Sequence, residues 1–446
     1  MKTKLTNYFL FLVILANLGC ATYPISRKAH KQLDVLLEES TLFNSSFTGF
    51  ALFDPETNQM LYQHQADKYY TPASNTKIYT FYTALKVLGD SLPVLHYQEF
   101  GDSLLIWGTG NALFLHPDFP ADGQVLTFLR SRADTILYTD KTFLDDRFGE
   151  GWMWDDYPYY YQAEKTPFPI YGNVVSFRSN PLGVGIRAYP AYFHAFLSFD
   201  PDLPNKNTLI RRQEFGNDFI YNTAATKNAT LNRSIPFHYN AALFSQLLSD
   251  TLTKKVTATN LAPDTTRQVH TLYQPMPDTL YRRLMQDSDN FIAEQLLLMC
   301  SDKLYGAQHT EWAVEYAKKK LFPNAPDALL WYDGSGLTRY NLFTPRTTVA
   351  VLKLIYQSLP RERLLNIFPA GGQSGTIQSW YPSPDGKPYI FAKTGTLRNA
   401  HALSGYLLTR SGKVLIFSFM HNNFPQSSNA YKKEMQKVLE SIREVF

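Results

Sequence analysis

The chain has 446 residues, enough for two or three domains with substantial cores. Its composition of 44% hydrophobic and 18% charged residues excludes a collagenous, disordered or multi-pass membrane protein. A net charge of +4 over that length, with no clustered run of Lys and Arg, gives little support to a nucleic-acid partner.

At the N-terminus Lys2 and Lys4 precede an apolar stretch over 8–16, and small residues follow at Gly19, Cys20 and Ala21. This is the layout of an export signal over 1–21. Two processing readings are open: a lipoprotein signal with Cys20 as the acylated first residue, or ordinary cleavage after Ala21. Either predicts an exported protein, periplasmic or lipid-anchored in the cell envelope. No later segment offers about 20 consecutive apolar residues for a membrane span. The second cysteine, Cys300, lies in an apolar helix-like run, which predicts a buried inert thiol and no intramolecular disulfide.

Leu33, Leu36 and Leu37 share a helix-compatible face within 28–40. Strands are predicted at 47–53 and 60–63, joined by a turn over 54–58, and a helix from Ser74 to about Leu88 closed by Gly89. From about 95 to 265 the chain becomes dense in Tyr, Phe, Trp, Pro and Asn, with strand-like runs at 104–107, 174–177 and 192–197. These predict an inserted, mostly β module. Helical patterns return at 277–304 and 346–358. Three antiparallel strands follow at 389–396, 402–409 and 414–420, then a helix with Met435, Val438, Leu439 and Ile442 on one face. The expected fold is α+β, an antiparallel sheet flanked by helices and assembled from 22–94 and 266–446 around the insertion at 95–265.

Three short patterns carry chemistry. Ser74-Asn75-Thr76-Lys77 places a hydroxyl and an amine i, i+3 at a helix start, within mutual reach. A serine hydroxyl needs a base, and lysine serves only when burial or a nearby cation depresses its pKa. Ser288-Asp289-Asn290 opens a second helix. Taken alone it is a good cap; taken with the first pattern it offers Ser288 as a proton shuttle and Asn290 as a hydrogen-bond partner of Lys77 or substrate. Lys393-Thr394-Gly395-Thr396 lies on a strand, where Lys393 supplies the cation, Lys393 and a threonine hydroxyl receive a carboxylate, and Gly395 allows close approach. Each pattern is weak alone. Their order and their placement on the expected elements are what give them weight.

The trio is the signature set of penicillin-binding proteins and class A β-lactamases. With Tyr70-Thr71-Pro72-Ala73 ahead of Ser74, Trp107-Gly108-Thr109-Gly110-Asn111, Gly151-Trp152-Met153-Trp154-Asp155-Asp156 and Asp333-Gly334-Ser335-Gly336, the chain resembles the low-molecular-mass penicillin-binding proteins. Within them it resembles the D-alanyl-D-alanine carboxypeptidases and endopeptidases with a large insertion between the first two motifs. The resemblance implies a serine β-lactamase/transpeptidase-like domain that forms a Ser74 acyl-enzyme on peptidoglycan peptides ending in D-Ala-D-Ala. It also implies inhibition by β-lactams and no cofactor. The oxyanion hole would be the backbone N–H groups of Ser74 and Thr396, and the Asp333 turn would be architectural.

Two readings of Asp155 with Trp152 and Tyr160 are open: a site that holds a side-chain ammonium of the peptide, with Arg339 taking a carboxylate, or a packed aromatic patch with a solvated aspartate. A β-lactamase and a non-catalytic wall-binding lipoprotein are the alternatives. No Glu-x-x-x-Asn follows Ser288-Asp289-Asn290, which disfavours the first. The ten histidines form no His-Glu-x-x-His pair, so no metal is expected.

Overall fold

The computed structural model describes residues 26–119, 123–132, 135–180, 185–204 and 209–446. The predicted export signal and Cys20 lie outside them. Helix α1 (Arg27–Glu38) is capped by the Ser26 hydroxyl and buries Ala29, Leu33 and Leu37. Strands β1 (Phe47–Asp54) and β2 (Gln59–His64) form the expected hairpin, whose turn is held by the Asp54 carboxylate accepting from the N–H groups of Glu56 and Thr57. A single 3₁₀ turn, Ala73–Asn75, then leads into α2 (Thr76–Leu88), which ends at Gly89 with φ +66°.

The helical pattern over 277–304 resolves into α3 (Asp278–Gln286) and α4 (Asn290–Tyr305). The break falls where Ser288 adopts φ +58° and Asp289 becomes the cap of α4, its carboxylate accepting from the Ile292 N–H at 3.0 Å. After α5 (Pro345–Ser358) come β3 (Ile390–Leu397), β4 (Ala400–Leu408), β5 (Val414–Asn422) and α6 (Ser428–Val445).

The five strands make one antiparallel sheet in the order β3-β4-β5-β1-β2, with Phe47 of β1 opposite Asn422 of β5. The two chain ends thus close the sheet on each other. Phe50, Leu52, Phe417 and Phe419 point to one side, where α1 and α6 contribute Leu33, Leu37, Met435 and Leu439. Ala51, Phe53 and Ile416 point to the other, against Ile78 of α2, Leu297 of α4 and Leu352 of α5. With both faces covered, β4 and β5 are buried almost end to end.

The intervening chain forms a second five-stranded sheet in the order Val256–Ala258, Thr135–Tyr138, Ser103–Trp107, Ser91–Phe100, His270–Pro275. Its entering and leaving strands, Ser91–Phe100 and His270–Pro275, pair antiparallel. Two three-stranded sheets accompany it, and Phe168, Phe177, Phe193 and Phe244 share its core.

The predicted strand at 192–197 is instead largely a 3₁₀ helix, Ala191–Phe196. Its aromatics contact each other at i, i+4 spacing, Tyr192 to Phe196 at 5.2 Å, while Phe193 alone is buried. That is a helical pairing, and an extended chain does not make it.

Gln295 of α4 fastens this region to the first sheet. Its amide donates to the carbonyls of Gly110 and Thr166 and accepts from the Thr166 N–H. No helix among the described residues is long and apolar enough to cross a membrane.

Candidate active site

Ser74 sits in the Ala73–Asn75 turn ahead of α2, after Ala73 at φ +47°. A non-glycine residue in the left-handed region is strained, and here neighbouring backbone over-determines it. Asn75 donates to the Lys393 carbonyl at 2.8 Å, and Thr76 Oγ1 donates to the Ala73 carbonyl at 2.9 Å. Two glycines let other chain segments close on the turn. A Cβ on Gly336 would stand 1.9 Å from the Ala73 carbonyl oxygen, and one on Gly395 would stand 2.2 Å from that of Pro72.

Lys77, one helical turn on, is buried and fully engaged. Its Nζ lies 3.0 Å from Ser74 Oγ, 2.6 Å from Asn290 Oδ1 and 2.7 Å from the Ser335 carbonyl oxygen. The amide oxygen and the carbonyl can only accept, so they take two N–H groups in either protonation state. As an ammonium, Lys77 donates its third proton to Ser74. As a neutral amine, it turns its lone pair toward the Ser74 hydroxyl. Burial brings Lys77 down to about 8, against the attraction of Asp333, Glu294 and Asp289. A base of that strength is available near neutrality.

Asn290, the first residue of α4, also donates from Nδ2 to the Tyr161 carbonyl at 2.9 Å, so it ties Lys77 to the inserted chain. Ser288 has a different neighbour from the one its proposed shuttle role suggests. Its Oγ accepts from Lys393 Nζ at 2.8 Å, and that ammonium also donates to the Thr394 carbonyl at 2.8 Å. Lys393 is buried as well, and burial together with the Lys77 charge holds it well below the ordinary lysine range. Thr394 Oγ1 donates to Thr376 Oγ1 at 2.7 Å, while Thr396 Oγ1 lies 2.8 Å from Nδ1 of the buried His401. Three discontinuous motifs therefore converge within hydrogen-bonding distance of one another.

Sequence reasoning missed part of the surroundings. The Asp333 turn, read as architectural, supplies the Ser335 carbonyl to Lys77. Glu294 clamps that turn, its carboxylate accepting from the N–H groups of Gly334 at 2.9 Å and Ser335 at 2.7 Å. Glu294 is buried, and burial followed by the Asp333 charge pushes it up to about 7. The available signal was spacing: Glu294 stands i+4 from Asn290, on the same face of α4.

The predicted side-chain pocket is less concentrated than the motifs. Trp152 Nε1 donates to Asp333 Oδ2 at 3.0 Å, and Arg339 donates to the Arg398 carbonyl at 3.0 Å. Asp155 and Tyr160 are exposed. Among the described residues no hydrogen bond or ring contact joins Asp155 to Trp152, Tyr160 or Arg339. Cys300 is buried, and no group of three or more metal-ligating side chains occurs among the described residues.

A helix-flanked antiparallel sheet, with a serine at the head of a buried helix and two buried lysines beside it, defines a serine acyl-transferase of the β-lactamase/transpeptidase fold. Residues 29–444 match the model of the D-Ala-D-Ala carboxypeptidase 3 (S13) family, and the chain belongs to that family. It is 25% identical to the D-alanyl-D-alanine carboxypeptidase of Actinomadura sp. (strain R39), over 88% of this chain and 80% of that one. It is 29% identical to D-alanyl-D-alanine carboxypeptidase DacB of Haemophilus influenzae, over 39% of this chain and 37% of that one. The crystal structure of penicillin binding protein 4 (dacB) from Haemophilus influenzae shares the fold, with a TM-score of 0.71 and 20% identity over 93% of this chain and 99% of that one.

Proposed function

We propose that this protein is a serine D-alanyl-D-alanine carboxypeptidase or endopeptidase of peptidoglycan, with Ser74 as nucleophile, and that β-lactams acylate the same serine. The contact of Lys77 Nζ with Ser74 Oγ carries the reading, because the other two contacts of that amine leave its lone pair no other target.

Neutral Lys77 takes the Ser74 proton as Oγ attacks the penultimate D-Ala carbonyl, and the N–H groups of Ser74 and Thr396 face the oxyanion. The C–N bond breaks as Lys77 gives up the proton it took, relayed to the leaving amine through Ser288 once that hydroxyl turns from Lys393, and free D-Ala departs. Water then hydrolyses the ester and restores Ser74. Lys393 with Thr394 and Thr396 receives the terminal carboxylate. Asp155, Trp152 and Tyr160 take the peptide's side-chain ammonium and Arg339 its carboxylate.

With it go 95–265 as an inserted module and 1–21 as an export signal, leaving the protein in the periplasm after cleavage at Ala21 or lipid-anchored in the envelope through Cys20. Incubating wild type and Ser74→Ala with defined muropeptides, with products resolved by mass, tests the activity. Loss of one D-Ala by wild type alone is expected, and cleavage by both proteins would refute Ser74 as nucleophile.

A further inference from the structure

A cavity of about 620 Å³ opens between strands Ile210–Arg212 and Asn232–Pro236 and is walled by Tyr159 and Tyr160. Its charged lining is entirely basic: Arg211, Arg212 and Arg233, with no Asp or Glu. Arg211 and Arg233 are exposed. Arg212 is only 4% exposed, its guanidinium lies over the Tyr157 ring at 4.0 Å, and one Nη donates to the Gly216 carbonyl. Its Nε has no hydrogen-bond partner among the described residues.

These contacts hold Arg212 with its Nε shut off from the cavity, so it adds positive charge behind the lining while Arg211 and Arg233 present theirs to it. The buried Glu164 beside Tyr157 already accepts from Tyr157, His238 and the Tyr239 N–H.

The same segment that walls this cavity also reaches the candidate active site. Tyr159 and Tyr160 face the arginines, and the next residue, Tyr161, gives its carbonyl to Asn290. We propose that this arginine cavity is a subsite for a carboxylate of an acidic peptide whose C-terminal end lies at Ser74. The guanidinium forks of the exposed Arg211 and Arg233 suit bidentate capture of a carboxylate, and the buried Arg212 adds positive charge behind them. The inference rests on the peptidase reading for the position of the peptide, and its test is separable from that reading.

Ser74→Ala protein is titrated with fluorescein-labelled Ala-Glu-Lys-D-Ala-D-Ala and with its Ala-Gln-Lys-D-Ala-D-Ala counterpart at low ionic strength. The glutamate peptide is expected to bind about fivefold tighter, with the preference abolished by added salt and by Arg211→Ser with Arg233→Ser. Both of these side chains are exposed, so the double variant keeps its fold. Equal binding of the two peptides by the parent, or a preference that survives in the double variant, overturns the proposal. So does arginine-dependent capture of phosphatidylglycerol vesicles without any peptide preference. Labelling of the Ser74-intact proteins by fluorescent penicillin checks the peptidase reading on its own: a protein that prefers the glutamate peptide yet never labels retains the subsite and loses that reading.

Discussion

Gly395 of β3 lies against Pro72, and a methyl group on its Cα would stand 2.2 Å from the Pro72 carbonyl oxygen and 3.0 Å from the Ser74 N–H nitrogen. The strand that carries Lys393 and the turn that carries Ser74 are therefore in backbone contact, with no room for a side chain between them. Gly395→Ala is expected to push the two apart at a cost of about 1–3 kcal/mol in stability. It should also slow acylation by fluorescent penicillin about 100-fold, because the nucleophile loses its alignment. Stopped-flow labelling and thermal melts check both, and unchanged labelling would contradict the contact.

On the proposed mechanism the protonation of Lys77 sets the pH dependence. With its pKa brought down to about 8, the amine is mostly charged below that pH and cannot take the Ser74 proton. The acylation rate is expected to rise about tenfold per pH unit up to that inflection and then level. A profile that is flat between about pH 6 and 9, measured by penicillin labelling, would exclude Lys77 as the base.

How much of this was legible in the sequence depends on the kind of group involved. Ser74, Lys77, Ser288, Asn290 and Lys393 meet through side chains of distinctive chemistry at short spacings on helices and a strand, so the residue pattern announces them. Ser335 and Tyr161 act through backbone carbonyls, which every residue possesses, and no pattern marks them. The pairing of Ser288 with Lys393 was equally hidden, since it depends on how β3 lies beside the loop before α4. The hairpin at 47–63 was marked by the turn residues over 54–58, whereas the aromatic run at 192–197 has an apolar content that suits either a strand or a helical turn.

Asn290 joins three elements, and its two obvious substitutions share the loss of the Tyr161 contact but differ in electrostatics. Asn290→Ala leaves the Tyr161 carbonyl and one Lys77 N–H without partners, with an expected loss of about 1–3 kcal/mol in a urea titration. Asn290→Asp puts a carboxylate 2.6 Å from the amine, where it favours the ammonium and raises the Lys77 pKa. The acylation inflection should then move above 8, and labelling at neutral pH should fall. An inflection that stays in place would mean that Lys77 is not the titrating group.

Glu294 acts on the same lysine from the far side of the Asp333 turn, and Glu294→Gln is expected to move the inflection the other way. Removing a buried negative charge withdraws part of the attraction that favours the ammonium, so the Lys77 pKa falls and acylation reaches its plateau at lower pH. The same substitution changes stability with a defined sign. The folded carboxyl titrates at about 7 and the unfolded one at about 4.3, so between those values the folded state binds the extra proton. The stabilisation linked to that proton is complete below the lower value and is lost as pH rises through the upper one. Wild type should therefore lose more of its urea midpoint between about pH 5 and 8 than Glu294→Gln, although glutamine forfeits one of the two hydrogen bonds to the turn. If the two proteins decline in parallel, Glu294 is not the group whose proton is linked to folding in that window.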